Sequence, residues 1–241
     1  MNANLAKPSA VVITSPGTNR DHDVAFALEL AGAQVERVAL SVLTQRPEQL
    51  LDYQMAVFAG GFSHADALGA GTLSGLRISY GIGDTVRTFV ATGLPVIGIC
   101  NGFQMLVRSG LLPGSLTHNA SGRFVCRWVT LDTPQPDRSV WTRNISSAIK
   151  CPVAHGEGRY VADPAIIAEH QALRYVDGTD PNGSVESTAG VTDATGLILG
   201  MMPHPENHVL ERQHPRFLRG EADGLALQLF RNGVDHVKAR G

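Results

Sequence analysis

Pro95-Val96-Ile97-Gly98-Ile99-Cys100-Asn101-Gly102-Phe103-Gln104 is the stretch that decides the fold. Its first half is apolar and rich in β-branched residues, which predicts a buried strand ending at a cysteine. The amphipathic run Asn101–Arg108 follows at once and predicts a helix. A residue on so sharp a strand-to-helix corner is presented at the top of a sheet. The corner also sets the sulfur at a helix N-terminus, where the dipole and free N–H groups favour a thiolate. Gly98 and Gly102 flank Cys100 and remove the Cβ atoms that would clash as strand and helix double back. Cysteines in interior strands are usually structural. The corner and its glycine pair instead make Cys100 the candidate nucleophile.

A nucleophilic thiol needs a base, and the base needs an orienter. Gly200-Met201-Met202-Pro203-His204-Pro205-Glu206 supplies both. Residues 197–202 read as another buried strand. His204 precedes a proline, which predicts extended backbone there. Extended neighbours two apart point the same way, so Glu206 would reach one ring nitrogen of His204 while the other faces Cys100. That is the logic of a Cys-His-Glu triad in which Glu206 sets the tautomer. A surface turn is the plainer reading of a His-Pro pair. His204 and His208 are also four apart, as metal ligands on a helix would be, but Pro205 breaks the helix that such a site needs; no metal is expected.

Strand and helix patterns alternate through the first half: a strand at 10–14, a helix at 21–31, strands at 35–40 and 55–59, and helix over 73–92 interrupted near Gly81 and Gly83. The second half is β-rich, with strands expected at 124–131, 151–161, 173–176, 185–191 and 197–202 and a closing helix at 223–238. The fold class predicted is α/β: an open, mostly parallel sheet with helices on both faces and a β-rich second half. No linker divides the chain, so residues 1–241 are expected to be one domain.

The formal net charge of −2 gives no electrostatic footprint for nucleic acid. No apolar run has the length of a membrane span, and the polar start Met1-Asn2-Ala3-Asn4 lacks a signal-peptide pattern. Three cysteines without a C-x-x-C pair argue against a disulfide framework and for a reducing cytoplasm. Cys126 and Cys151 are expected to pack as small hydrophobes. Neither G-x-G-x-x-G nor a P-loop occurs, so a nucleotide cofactor on this chain is not expected. His155-Gly156-Glu157-Gly158 reads either as a second acid–base pair or as a polar turn that braces the site or meets a partner, the second being favoured.

Gly98-Ile99-Cys100-Asn101-Gly102-Phe103-Gln104 resembles the G-x-C-x-G-x-Q elbow of class I glutamine amidotransferases, and His204-x-Glu206 resembles their paired His and Glu. Further segments narrow the resemblance: Pro16-Gly17-Thr18-Asn19, Gly60-Gly61-Phe62-Ser63, Gly69-Ala70-Gly71, Ala154-His155-Gly156-Glu157-Gly158 and Pro181-Asn182-Gly183-Ser184. Taken in order over nearly the whole chain, they look like the glutaminase subunits of phosphoribosylformylglycinamidine synthase.

That resemblance implies Cys100, His204 and Glu206 as catalytic residues. It also implies the backbone N–H groups of Gly61 and Asn101 as an oxyanion hole, and Gln104 as a glutamine-binding residue, unless Gln104 only packs. It further implies glutamine as substrate, a large ATP- and magnesium-dependent synthetase subunit as partner and a small bridging subunit. Two departures stand out. His64-Ala65-Asp66 replaces the family's Tyr-Gly-Asp, and the segment 207–220 is longer than in compact members. The rival readings are an amidotransferase for another acceptor, a stand-alone γ-glutamyl hydrolase or thiol peptidase, and a regulatory subunit with a dead site.

Overall fold

A computed structural model describes residues 7–176, 178–221 and 223–240; the polar start at 1–4 lies outside them. The first half runs β1 (Ser9–Thr14), α1 (Asp21–Ala31), β2 (Gln34–Ala39), α2 (Leu40–Gln45), β3 (Met55–Phe58), α3 (Thr72–Arg77), α4 (Gly83–Ala91), β4 (Val96–Ile99) and α5 (Asn101–Arg108). The second adds β5 (Ser115–Thr117), β6 (Val125–Asp132), β7 (Ile149–His155), β8 (Arg159–Val161), α6 (Pro164–His170), β9 (Gln171–Val176), β10 (Thr188–Thr192), β11 (Ile198–Met201) and α7 (Leu227–Lys238).

A large sheet has the order β2-β1-β3-β4-β11-β10-β9-β6-β7, and β5 pairs separately with β8. From β2 to β11 the strands are parallel. From β10 onward they are antiparallel. Parallel strands must be covered on both faces, and β3 and β4 are buried along their whole length. The helices form two layers, with α1 against α7 and α3 against α5. Right-handed crossovers put these layers on opposite faces. Phe58, Gly98 and Gly200 stand in register across β3, β4 and β11. The chain therefore leaves the same end of the sheet at Gly60-Gly61, at Cys100 and just before His204, and it is at this end of an open parallel sheet that sites form.

The interruption expected near Gly81 and Gly83 is met as a π-turn, Ile78–Ile82, joining α3 to α4; a Cβ on Gly81 would lie 2.7 Å from Thr44 Cγ2. Other expectations are corrected. The strand expected at 151–161 is split by the turn after His155. Residues 185–187 form a 3-10 turn, because Glu186 and Ser187 hold φ of +50°. The closing helix starts at Leu227 because Gly224 accepts the Lys150 N–H at 2.8 Å and Asp223 pairs with Lys150 Nζ at 2.7 Å, which ties this stretch to β7. Cys151 is buried, but Cys126 is exposed on β6. The segment after His204 covers that face of β6 only from Trp128, whose ring meets His208 and His214 at 5.0 and 4.7 Å. α2, α6 and β5 were not anticipated; their runs are too short to show a period. Among the described residues no helix is long and apolar enough to cross a membrane.

Candidate active site

Cys100 closes β4 with φ +52° and ψ −107°, a state rarely held by a residue with a side chain. It is held from both sides: its N–H donates to Met201 O at 2.7 Å and its carbonyl accepts the Gln104 N–H at 3.1 Å. A Cβ on Gly98 would sit 2.7 Å from Gly102 O, and one on Gly102 would collide with the Phe58 carbonyl. The glycine pair is thus required by the corner, as its sequence predicts. Cys100 is 4% exposed, enough for its side chain to line a pocket.

After β11 the chain is hooked onto β7 by His204 N–H donating to Pro152 O at 2.9 Å. Pro205–His208 then forms a 3-10 turn, so Glu206 is brought to His204 by a tight turn and not by the extended segment expected from the sequence. His204 Nδ1 lies 2.7 Å from Glu206 Oε1, with both side chains buried. Burial alone would push the His204 imidazole down. The Glu206 carboxylate, then Cys100, outweigh it and raise the imidazole to about 10. His204 and Cys100 line one small cleft, so the ring stands between carboxylate and sulfur. The separation of 104 positions in sequence vanishes because β11 inserts beside β4. His208, by contrast, turns away to the Lys150 carbonyl at 2.6 Å. Among the described residues no group of three or more His, Cys, Asp or Glu is arranged for a metal ion.

The Thr18–Gly61 bridge uses the N–H groups of Asn19 and Phe62, donated to Gly60 O and Gly17 O, and leaves the Gly61 N–H without an acceptor among the described residues. Asn101 is the first residue of α5, where the backbone N–H has no helical acceptor. The side chain of Asn101 ties the site loops together, accepting the Ser63 N–H at 3.2 Å and donating to Gln104 Oε1 at 2.8 Å. Gln104 Nε2 donates to the Glu157 carbonyl at 2.7 Å. Both ends of the Gln104 amide are therefore engaged by the protein, and Gln104 forms a wall of the pocket.

That pocket, of about 180 Å³, is lined by Cys100, Gln104, Gly61, Asp66, His155 and Glu157 among others. Asp66 lines it too, although the sequence marks this residue only as part of the His64-Ala65-Asp66 departure. His155 and Glu157 do not pair. His155 Nδ1 lies 3.0 Å from Asn119 Oδ1, which also accepts the Gly158 N–H, while Asn119 Nδ2 donates to Arg123 O and His155 O. Asn119 Oδ1 is thereby an acceptor, so His155 Nδ1 must carry the proton. Burial, then the neighbouring His204, lower the His155 imidazole to about 4. It is a neutral brace.

Residues 7–237 match the model of the CobB/CobQ-like glutamine amidotransferase domain. A phosphoribosylformylglycinamidine synthase subunit PurQ of Treponema denticola is 41% identical over 269 residues, covering 96% of this chain and 99% of that protein. The chain belongs to the PurQ family of glutamine amidotransferases. PurQ of Brucella suis is 41% identical over 225 residues, covering 90% of this chain and 95% of its own. The structure of PurLQS from Thermotoga maritima contains a chain that matches with TM-score 0.80 and 36% identity, covering 96% of this chain and all of that one. A glutamine amidotransferase of the same organism, at 15% identity and TM-score 0.59, shares the fold.

Proposed function

We propose that this chain is the glutaminase of a phosphoribosylformylglycinamidine synthase, acting as one unit over residues 1–241. The observation that carries the reading is the strained Cys100 beside a His204 held by Glu206 at 2.7 Å, in a chain of the PurQ family. The Cys100 thiolate attacks the side-chain amide carbon of glutamine. The N–H groups of Gly61 and Asn101 hold the oxyanion, each donor being worth about 10²–10³ in rate. The His204 imidazolium protonates the departing nitrogen, which leaves as ammonia. Neutral His204 then takes a proton from water, which attacks the thioester. Collapse releases glutamate and restores thiolate and imidazolium. Gln104 shapes the wall along which glutamine lies.

Ammonia protonates in water and then loses its nucleophilicity, so the product is useful only if handed on. Subunits of the PurL and PurS kind, as in the PurLQS assembly, are the proposed partners. The large subunit would use ATP and magnesium to turn formylglycinamide ribonucleotide into formylglycinamidine ribonucleotide. This chain itself is proposed to need no cofactor, no nucleic acid and no membrane, and to work in the cytoplasm. The test is glutamate release from glutamine in the mixture of all subunits, ribonucleotide and ATP. Wild type is expected to release glutamate in step with amidine formation, and Cys100→Ala to release none. Release without amidine would reassign the acceptor, and Cys100-independent release would sink the mechanism.

A further inference from the structure

The Glu206 carboxylate is held by very little. Its Oε1 meets His204 Nδ1 at 2.7 Å, and its buried Oε2 has no hydrogen-bond partner among the described residues. The aim of the carboxylate is therefore set by its backbone, the turn Pro205–His208. The bond within that turn is long, with the Asn207 N–H reaching His204 O only at 3.3 Å, and 3-10 hydrogen bonds have poor geometry in any case.

The anchorage comes from outside the turn. β7 is the last strand of its sheet, so one of its edges is free. Lys150 and Pro152, two apart, present their carbonyls there. Pro152 O accepts the His204 N–H at 2.9 Å, and Lys150 O lies 2.6 Å from His208 Nδ1. A carbonyl only accepts, so His208 Nδ1 carries the proton and donates. The backbone on both sides of Glu206 is thus pinned to one strand. His208 is fully buried, its ring set against Trp128 and His214 at 5.0 and 5.4 Å. Gln213 adds a second staple. Its Oε1 accepts the N–H groups of Val209 and Leu210 at 2.7 and 2.8 Å, and its Nε2 reaches Glu206 O at 3.4 Å. Neither His208 nor Gln213 lines the pocket at Cys100 or the cleft at His204.

Resting on the glutaminase reading above, we infer that His208 and Gln213 are positioning residues that aim the Glu206 carboxylate at His204 by fixing the turn that carries it, and that this is what the segment 207–220 contributes to glutamine hydrolysis. The third member of a triad works by orienting the base, and a misplacement of about 1 Å can cost about 10²-fold in rate.

The experiment measures glutamate release from glutamine by the assembled synthase for His208→Phe and His208→Asn, each alone and combined with Glu206→Gln. Phe keeps a ring and removes the donor, whereas Asn returns an N–H to the place of Nδ1. His208→Phe is expected to lower kcat about 10- to 100-fold with KM within about twofold, and His208→Asn to keep kcat within about threefold of wild type. On top of Glu206→Gln, His208→Phe is expected to cost less than about threefold more, because residues that act through one group are not additive. Equal losses in both backgrounds would make His208 merely structural and overturn the assignment, as would His208→Asn behaving like His208→Phe. Should His208→Phe fail to fold, Gln213→Leu decides by the same comparison, with kcat expected to fall about tenfold beside Glu206 and by less than about threefold beside Glu206→Gln. Absence of any Cys100-dependent release by the wild-type assembly would overturn the function proposed above and this assignment with it. Normal wild-type release with equal losses in both backgrounds would overturn the assignment alone.

Discussion

Cys100 keeps a backbone state that costs about 1–3 kcal/mol, and it does so because strand, helix and the Met201 carbonyl all hold it. The same crowding governs His204, whose charge is decided by its neighbours against the pull of burial. Glu206→Gln keeps the size and removes the negative charge. Its kcat/KM for glutamine is expected to fall about 10²–10⁴-fold, and the alkaline limb of the pH profile to move down from about 10. A limb that stays in place would contradict the orienting role of Glu206. The sign for stability follows from the same shift. A base raised in the folded state contributes fully below its unfolded value and loses that contribution as pH rises through about 10.

Two elements carry the site's rigidity. The turn at 64–68 holds Ala65 at φ +54°, where glycine has no steric penalty. Ala65→Gly is expected to stabilise the protein by about 1 kcal/mol, raising Tm by about 2–4 °C, as scanning calorimetry would record. The end of β7 is braced by neutral His155 on Asn119. Its imidazole is lowered to about 4 in the fold, so unfolding takes up a proton below the ordinary histidine range. Stability is therefore lost as pH falls from the ordinary histidine value of 6.5 toward about 4, by about 3 kcal/mol at most. Urea midpoints at pH 7 and pH 4.5 would show it, and His155→Gln should flatten the difference. Equal slopes in the two proteins would assign the acid sensitivity elsewhere.

On the scale of the whole molecule, the mouth of the pocket is flanked by the half-exposed rings of Phe62 and Phe124, 6.2 Å apart, with Leu68 81% exposed nearby. The strained turn beside them belongs to the same rim. Hydrolysis by the isolated chain is expected to be at least about tenfold slower than in the assembly, since a rim left open to water does not order the substrate. Comparable rates with and without the synthetase subunits and ribonucleotide would overturn that expectation.

What the sequence determined by itself was local. The strand-to-helix corner at Cys100, the glycines around it, the pairing of His204 with Glu206 and the alternation of the first half all follow from neighbours within a few residues, whose sterics and periods act along the chain. Tertiary structure alone decided which distant pieces meet. Insertion of β11 beside β4 sets His204 against Cys100. The His204 N–H, hooked onto the Pro152 carbonyl of β7, fixes where the pair of His204 and Glu206 sits. The tie of Asp223 and Gly224 to Lys150 delays the last helix. Asp66 and Glu157 share one wall although 91 positions separate them in sequence. Burial and long-range charge act through space, and no spacing along the chain records them.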